Sequence, residues 1–181
     1  MTAKRFPALG FAIALAACVA TGPRYFEYVA TLPDIPRQSA RLTIFRTAEN
    51  TQYSGRAATV RIDGRERGGC DFAGYQIFYV ASGPHVLAVE LWDTPGVCRL
   101  SIDVLGGEEY FYEVRPRTES LVAGFLGAMI GGIAGGGGPT VTPFAIMGAE
   151  SSGRGCGGAF SIVDVDEGAA LQKLKDLHLS K

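Results

Sequence analysis

Cysteine is the residue type in this chain with the widest capacity for covalent chemistry. Four thiols are present, at Cys18, Cys70, Cys98 and Cys156. A thiol can carry lipid, form a disulfide, bind a metal or act as a nucleophile, and its sequence context indicates which. No two of the cysteines have the C-x-x-C spacing. The spacing therefore indicates neither a zinc knuckle nor a thioredoxin-like redox site.

Cys18 ends a segment with the composition of a secretory signal peptide. Lys4 and Arg5 provide a positive start, and residues 6–15 form an apolar stretch that is too short to span a bilayer. The sequence LAAC at residues 15–18 resembles the bacterial lipobox. The resemblance implies cleavage before Cys18 and acylation of its sulfur and its amine, which together make a stable membrane anchor.

Processing before Cys18 would remove residues 1–17 as a lipoprotein signal peptide. Val19 follows, at the position where Asp signals inner-membrane retention in the lipoproteins that this start resembles. We therefore expect the chain on the periplasmic face of the outer membrane in a bacterial envelope, with the bilayer as its partner through acylated Cys18. Residues 18–40 contain three prolines and no sustained periodicity, so they are predicted to form a flexible tether.

The remaining three thiols are odd in number. In the oxidising periplasm we expect two of them to form a disulfide and one to stay free. Three pairings are open, since the sequence does not choose among them. We favour Cys70–Cys98, because Cys98 lies on the apolar face of a predicted strand. Cys156 lies in a Gly-rich stretch and is the alternative partner.

Alternating apolar and polar residues indicate a series of short strands from residue 41 onwards. In residues 97–104, apolar side chains alternate with Arg99, Ser101 and Asp103. Turn signals separate the segments, the strongest being Asp63-Gly64. This pattern predicts a mainly β fold, a small antiparallel β-sandwich in which each sheet keeps one face in water.

A last strand over residues 159–165 and a short helix over residues 166–179 are predicted to end the chain. Three leucines recur on one face of this helix: Leu171, Leu174 and Leu177. We expect this face to pack on the sandwich. Asp164 and Glu167 have the spacing of a capping box at its start. The predicted β-sandwich domain therefore extends over residues 41–181.

Several short motifs follow one another in order along residues 40–181. They are Arg41–Arg46, Val60–Gly64, Ser82–His85, Gly106-Gly107 before Tyr110–Tyr112, and Asp166-Glu167 before the leucine helix. In that order, after a lipobox and with an expanded Gly-rich insertion, they resemble the bacterial lipoproteins grouped as domain of unknown function 2846. The resemblance implies a small β-sandwich domain and implies no activity.

The Gly-rich apolar insertion, residues 119–158, interrupts the strand pattern. Residues 121–149 contain no charged side chain. Gly127, Gly131 and Gly135 have the spacing that allows close helix packing or membrane contact. Three interpretations stay open. The insertion packs on its own sandwich as a hairpin or loop, it contacts the membrane, or it mediates self-association.

The other candidate motifs do not combine into a catalytic or metal-binding constellation. Residues 153–158 match G-x-G-x-x-G, but they precede a predicted strand instead of opening a helix. His85 and His178 are isolated, and Glu108 and Glu109 would point to opposite faces of a strand. A formal net charge of −1 excludes a strongly basic nucleic-acid binder.

The sequence thus favours a membrane-anchored binding or structural module that is not an enzyme and needs no cofactor or metal. Beyond the bilayer, we expect an envelope protein or a second copy of the chain as the partner. Two alternatives stay open. One is a Cys-dependent periplasmic enzyme, for which Cys156 and His85 would supply nucleophile and base. The other is a membrane-associated oligomer assembled through the Gly-rich segment.

Overall fold

The computed structural model describes residues 19–117 and 156–181 of the chain. Two sheets stack face to face, and two short helices cover the outer face of one of them. The predictions for Cys18, for the glycines at 127, 131 and 135, and for residues 119–155 of the insertion lie outside the described residues. The predicted mainly β sandwich with a short C-terminal helix is confirmed.

Nine strands and two helices make up the described chain. In chain order they are α1 (Tyr25–Val29), β1 (Ser39–Arg46), β2 (Ala58–Ile62), β3 (Arg65–Cys70), β4 (Gly74–Ala81), β5 (Gly83–Leu91), β6 (Thr94–Val104), β7 (Glu109–Pro116), β8 (Phe160–Val165), α2 (Glu167–Leu174) and β9 (His178–Leu179). One sheet has the order β8-β7-β1-β4-β9 and the other β3-β2-β5-β6. Neighbouring strands are antiparallel, except that β1 runs parallel to β7 and β4 runs parallel to β9.

The main core lies between the two sheets and follows the alternation in the sequence. On β6, four alternate residues face the core, namely Cys98, Leu100, Ile102 and Val104. Their neighbours Arg99, Ser101 and Asp103 are exposed, as predicted. The Asp63-Gly64 hairpin also forms, with φ of 53° and 76°. Both residues have positive φ, as a two-residue hairpin turn requires.

The five-stranded sheet is buried on both faces, so the prediction of one wet face per sheet is wrong for it. On its outer side Phe45, Tyr75 and Phe111 form a second cluster with Tyr25 of α1 and Leu174 of α2. The reason is that β1 and β7 carry bulky apolar residues on both of their faces, and both faces therefore need to be covered. The four-stranded sheet keeps its polar outer face.

Residues 19–40 are held on the domain, so the prediction of a flexible tether is wrong for the described residues of that stretch. The backbone N–H of Ala20 donates to the Phe72 carbonyl at 3.1 Å, and that of Gly22 donates to the Leu179 carbonyl at 3.1 Å. A Cβ on Gly22 would lie 2.6 Å from the Leu179 oxygen, so this close approach requires glycine. Burial of Tyr25, which is 1% exposed, supplies the driving force.

The C-terminal helix is shorter than predicted. It spans Glu167–Leu174 instead of residues 166–179, and His178–Leu179 form β9 beside the start of β4. Asp166 is the N-cap, since its side chain accepts from the Ala169 N–H at 3.0 Å. The predicted Asp164–Glu167 capping box is wrong, because Asp164 belongs to β8 and a cap must directly precede the helix.

Residues 117 and 156 flank the stretch 118–155, which lies outside the described residues. Both are found at one end of the sandwich, which we call the stem end. It comprises the loop 47–57, the turns 71–73 and 92–93, and residues 117 and 156. Strand pairs at this end include Arg46 with Gly74, Ala58 with Cys70, Leu91 with Thr94, and Pro116 with Phe160. The opposite end, which we call the Leu105 end, comprises the turns 63–64 and 105–108 and Ser82.

Candidate functional site

The three thiols predicted to remain after processing divide into one disulfide and one free cysteine. The disulfide joins Cys98 to Cys156, with a Cα–Cα distance of 3.7 Å. The favoured Cys70–Cys98 pairing is therefore wrong, and the alternative partner is the one used. Cys98 faces the core near the β6–β8 edge, where the chain returns at Cys156, whereas Cys70 lies on β3 at the other edge of the four-stranded sheet.

Cys70 is the free thiol among the described residues, and it is fully buried. Burial raises the pKa of this thiol to about 12. Because the thiolate is the nucleophilic form, a thiol in this environment is unreactive at neutral pH. Cys156 is held in the disulfide, so it does not offer the thiol that a Cys156–His85 pair would need.

The two histidines occupy hydrogen-bonded structural positions. At the Leu105 end, His85 Nδ1 lies 2.7 Å from an Asp63 carboxylate oxygen and Nε2 lies 2.8 Å from the Ala81 carbonyl oxygen. The hydrogen bond with Asp63 raises the pKa of His85. His178 Nδ1 lies 2.8 Å from the Gly22 carbonyl oxygen and thereby helps to hold the N-terminal segment.

Glu109 joins strands of the five-stranded sheet to α1, and its partner Arg41 lines a surface cleft. Its carboxylate accepts from Thr43 Oγ1 at 2.8 Å, from the Tyr25 hydroxyl at 3.1 Å and from Arg41 at 3.4 Å. Arg41 also donates to the Tyr79 hydroxyl and to the Pro33 carbonyl. A cleft of about 470 Å³ adjoins this network; it is lined by Val29, Leu32, Pro33, Asp34, Ile35, Arg41 and Gly107.

Alternation along β7 predicts that Glu113 faces solvent, whereas in the structure its carboxylate is buried. Its side chain is 2% exposed because α2 covers it, and it accepts from Arg115 Nε and Lys173 Nζ, each at 2.9 Å. Burial raises the pKa of Glu113, but the hydrogen bonds and charges of these two partners outweigh burial and lower it overall. The sequence did contain a signal that this face is covered, because β7 carries aromatic residues on both of its faces.

Arg46 is a buried cation at the stem end that sequence reasoning missed. It donates to the carbonyls of Arg56 at 2.8 Å and Gln52 at 2.6 Å. Its guanidinium lies 5.6 Å and 5.0 Å from the ring centroids of Phe72 and Phe160. Burial lowers its pKa. Through these hydrogen bonds and cation–π contacts, Arg46 thus holds the 47–57 loop beside β8 and the 71–73 turn.

The described chemistry is that of ion pairs and hydrogen bonds that hold elements together. Nowhere in residues 19–117 and 156–181 do three His, Cys, Asp or Glu side chains come together as ligands for a metal ion. Neither described helix has the length and hydropathy needed to cross a membrane. What these residues offer a partner is a cleft beside Arg41 and the exposed ends and outer face of the sandwich.

Comparisons of the chain with protein-family models, with curated proteins and with solved structures found no match. A functional proposal therefore depends on the residues and contacts described above.

Proposed function

We propose that this protein is a lipid-anchored lipoprotein on the periplasmic face of a bacterial outer membrane, where it serves as a binding or structural module. The order of its sequence motifs resembles that of the lipoproteins grouped as domain of unknown function 2846. The observation that carries the proposal is the signal-peptide pattern that ends in LAAC at residues 15–18, and the attachment of Val19 to the folded domain sets where such an anchor would act. Val19 directly follows the proposed acylation site Cys18, and it forms a β-bridge with Phe72.

The distance between anchor and domain is short under this proposal. Consecutive Cα atoms are about 3.8 Å apart, whereas a flexible tether of some twenty residues would average roughly 25 Å. The backbone from Ala20 to Tyr25 makes four backbone–backbone hydrogen bonds to the domain, one with Phe72, two with Leu179 and one with Leu177. Lipid on Cys18 would therefore hold the sandwich directly against the membrane, and would also restrict its orientation.

The chemistry of the described residues supports binding more than catalysis. The partly exposed carboxylate of Glu109 and the buried carboxylate of Glu113 are engaged by hydroxyl and cationic partners, and the Cys70 thiol is buried and protonated at neutral pH. These observations do not favour the Cys-dependent enzyme. The cleft beside Arg41 lies near the Leu105 end, so in a membrane-held domain it would be available to a partner in the periplasm.

The anchor is tested by expressing the full chain and its Cys18→Ser variant in a bacterial host with labelled palmitate. We expect the wild-type protein to carry label and to sediment with outer membranes, and the variant to accumulate as unlabelled precursor. Cys70→Ala is the matched control, because it removes another cysteine and should leave labelling unchanged. Label that persists in the Cys18→Ser variant would contradict the proposal.

The oligomer alternative is tested separately by deleting residues 121–149. If the Gly-rich segment assembles copies of the chain, the deletion should reduce the particle size of the detergent-solubilised protein by more than the mass removed. An unchanged oligomeric state would count against assembly through this segment. Crosslinking in intact cells, followed by mass spectrometry, would identify an envelope partner of the anchored module.

A further inference from the structure

Trp92 occupies an unusual position for the chain's single tryptophan. It lies in the two-residue turn between β5 and β6 and is 81% exposed, more than any other large hydrophobic residue in the described part of the chain. A tryptophan in water leaves a large apolar surface unburied. Among the described residues, Trp92 therefore has the properties of a contact residue that lacks its partner.

The turn that carries Trp92 belongs to the same end of the sandwich as the start of the described chain. Val19 pairs with Phe72 in the turn between β3 and β4. Across the four-stranded sheet, Cys70 pairs with Ala58 on β2, and the neighbouring Thr59 pairs with Glu90, near the end of β5. These strand pairs show that Val19 and Trp92 lie at the same end of the sandwich, the stem end. Val19, at 40% exposure, is a second exposed apolar residue there.

Residues 117 and 156, which flank the stretch 118–155, belong to this end as well. Before this stretch, the Arg117 N–H donates to the Ala159 carbonyl at 2.8 Å. After it, Cys156 is bonded to Cys98, and the Gly157 N–H donates to the Val97 carbonyl at 3.0 Å. The intervening sequence has no charge over residues 121–149. Residues 117 and 156, which flank this uncharged stretch in the sequence, are the described residues on either side of it.

The charges beside Trp92 do not oppose approach to a membrane. Asp93 is the acidic residue in the same turn, and its carboxylate forms a salt bridge with Arg56. Arg56 is 46% exposed and belongs to the neighbouring loop 47–57. Its positive charge compensates Asp93, so the turn presents no uncompensated negative charge to anionic phospholipid headgroups.

We infer that the stem end is the membrane-contacting surface of this protein, with Trp92 inserted among the headgroups of the bilayer that holds the lipid anchor. This inference deepens the proposed function and rests on it, because acylation of Cys18 brings this end to the bilayer. Tryptophan favours the membrane–water interface, where its ring is in an apolar environment and its N–H stays hydrated. The Leu105 end, with the nearby Arg41 cleft, then faces the periplasm.

The single tryptophan makes the test direct. The acylated full chain is reconstituted into phosphatidylethanolamine–phosphatidylglycerol vesicles with or without brominated acyl chains, and its fluorescence is recorded. We expect a blue-shifted emission, and a loss of at least half of the intensity in the brominated vesicles. The matched control is the double variant Trp92→Phe, Leu105→Trp, which moves the single tryptophan to an exposed site (Leu105 is 67% exposed) at the opposite end. Its emission should stay unshifted and unquenched.

Mass spectrometry and flotation of the same samples separate this inference from the proposed function. If the protein is acylated and floats with the vesicles but Trp92 is not quenched, the membrane contact is wrong and the lipoprotein proposal stands. Equal quenching at both ends would overturn the inference in the same way. Shielding of Trp92 from acrylamide without bromolipid quenching would assign it to a protein contact instead. Absence of acylation together with absence of quenching would overturn both proposals.

Discussion

Cys98 and Cys156 are joined by a disulfide although they are 58 positions apart in the chain. Cys98 is fully buried in the main core, and Cys156 is the first described residue after the stretch that begins at residue 118. The bond therefore ties the return of the Gly-rich insertion to the four-stranded sheet. Gly96 and Gly158 pack closely beside it, since a Cβ on Gly158 would overlap the Gly96 carbonyl oxygen.

The first prediction concerns the stability that this disulfide confers. A cross-link between residues 58 apart contributes about 4 kcal/mol in the chain-entropy model, and loss of a native disulfide costs roughly 2–5 kcal/mol. The Cys98→Ala, Cys156→Ala variant should therefore unfold at a markedly lower urea concentration than the wild-type protein. Mass mapping without reduction should recover the Cys98–Cys156 peptide pair. Recovery of a Cys70-containing pair, or coincident unfolding curves, would refute this prediction.

The second prediction concerns two adjacent aromatic residues of α1. Tyr25 is buried against Tyr75 in the second cluster, whereas Phe26 is 49% exposed. Tyr25→Ala should destabilise the domain by about 3–5 kcal/mol, as large-to-small core substitutions of aromatic residues do. It should also make residues 19–30 susceptible to limited proteolysis. Phe26→Ala is the matched control and should change the unfolding free energy much less. Similar effects of the two substitutions would mean that α1 does not dock as described.

The third prediction concerns Glu113. Its pKa is lowered from the usual 4.5, so its contribution to stability is present above pH 4.5 and is lost as the pH falls through the lowered folded-state value. Glu113→Gln should destabilise the protein at neutral pH by about 1–3 kcal/mol, because it leaves cationic partners without their acceptor. The difference from the wild-type protein should shrink in acid.

Urea unfolding across the pH range measures this effect. Lys173→Met should reproduce part of the loss, because Lys173 donates to Glu113. Lys175→Met, at an exposed position one residue after the same helix, should have little effect. A Glu113→Gln variant whose deficit is constant between neutral and acid pH would contradict the lowered pKa of Glu113, because equal pKa values in the folded and unfolded states give no pH dependence.

The fourth prediction concerns the His85–Asp63 pair. The pKa of His85 is raised from 6.5, so its contribution is fully present below pH 6.5 and is lost as the pH rises through the raised folded-state value. Thermal unfolding of the wild-type protein and of His85→Asn should therefore differ more at pH 6 than at pH 9. Asp63→Asn should reduce the same pH dependence, because the hydrogen bond with Asp63 is the largest cause of the raised pKa, and it keeps a residue type that tolerates the positive φ of this turn. An undiminished pH dependence in Asp63→Asn would contradict the assignment.

Local patterns predicted a large part of the fold. Alternation predicted the buried and exposed faces of β6, and Asp63-Gly64 predicted a hairpin, because each depends on residues that are neighbours in sequence. The predicted capping residue was wrong by two positions. Asp164 and Asp166 both precede the helix, but Asp164 still belongs to the strand that ends at Val165, so Asp166 is the cap. The candidate site was less predictable. From the sequence, Arg46 is an ordinary strand residue, and only the structure shows that Phe72 and Phe160 lie beside it.

The sequence by itself determined the two-sheet β architecture, its main core face and the predicted lipid-anchor signal before Val19, because these depend on residue type and short-range periodicity. Only the tertiary structure decided that Cys98 pairs with Cys156, that Glu113 is covered by Lys173 of α2, and that Tyr25 holds the chain start on the sheet. Each of these joins residues far apart in the chain. Such contacts form only when strand order and register bring distant segments together, and the local sequence pattern carries no information about that order.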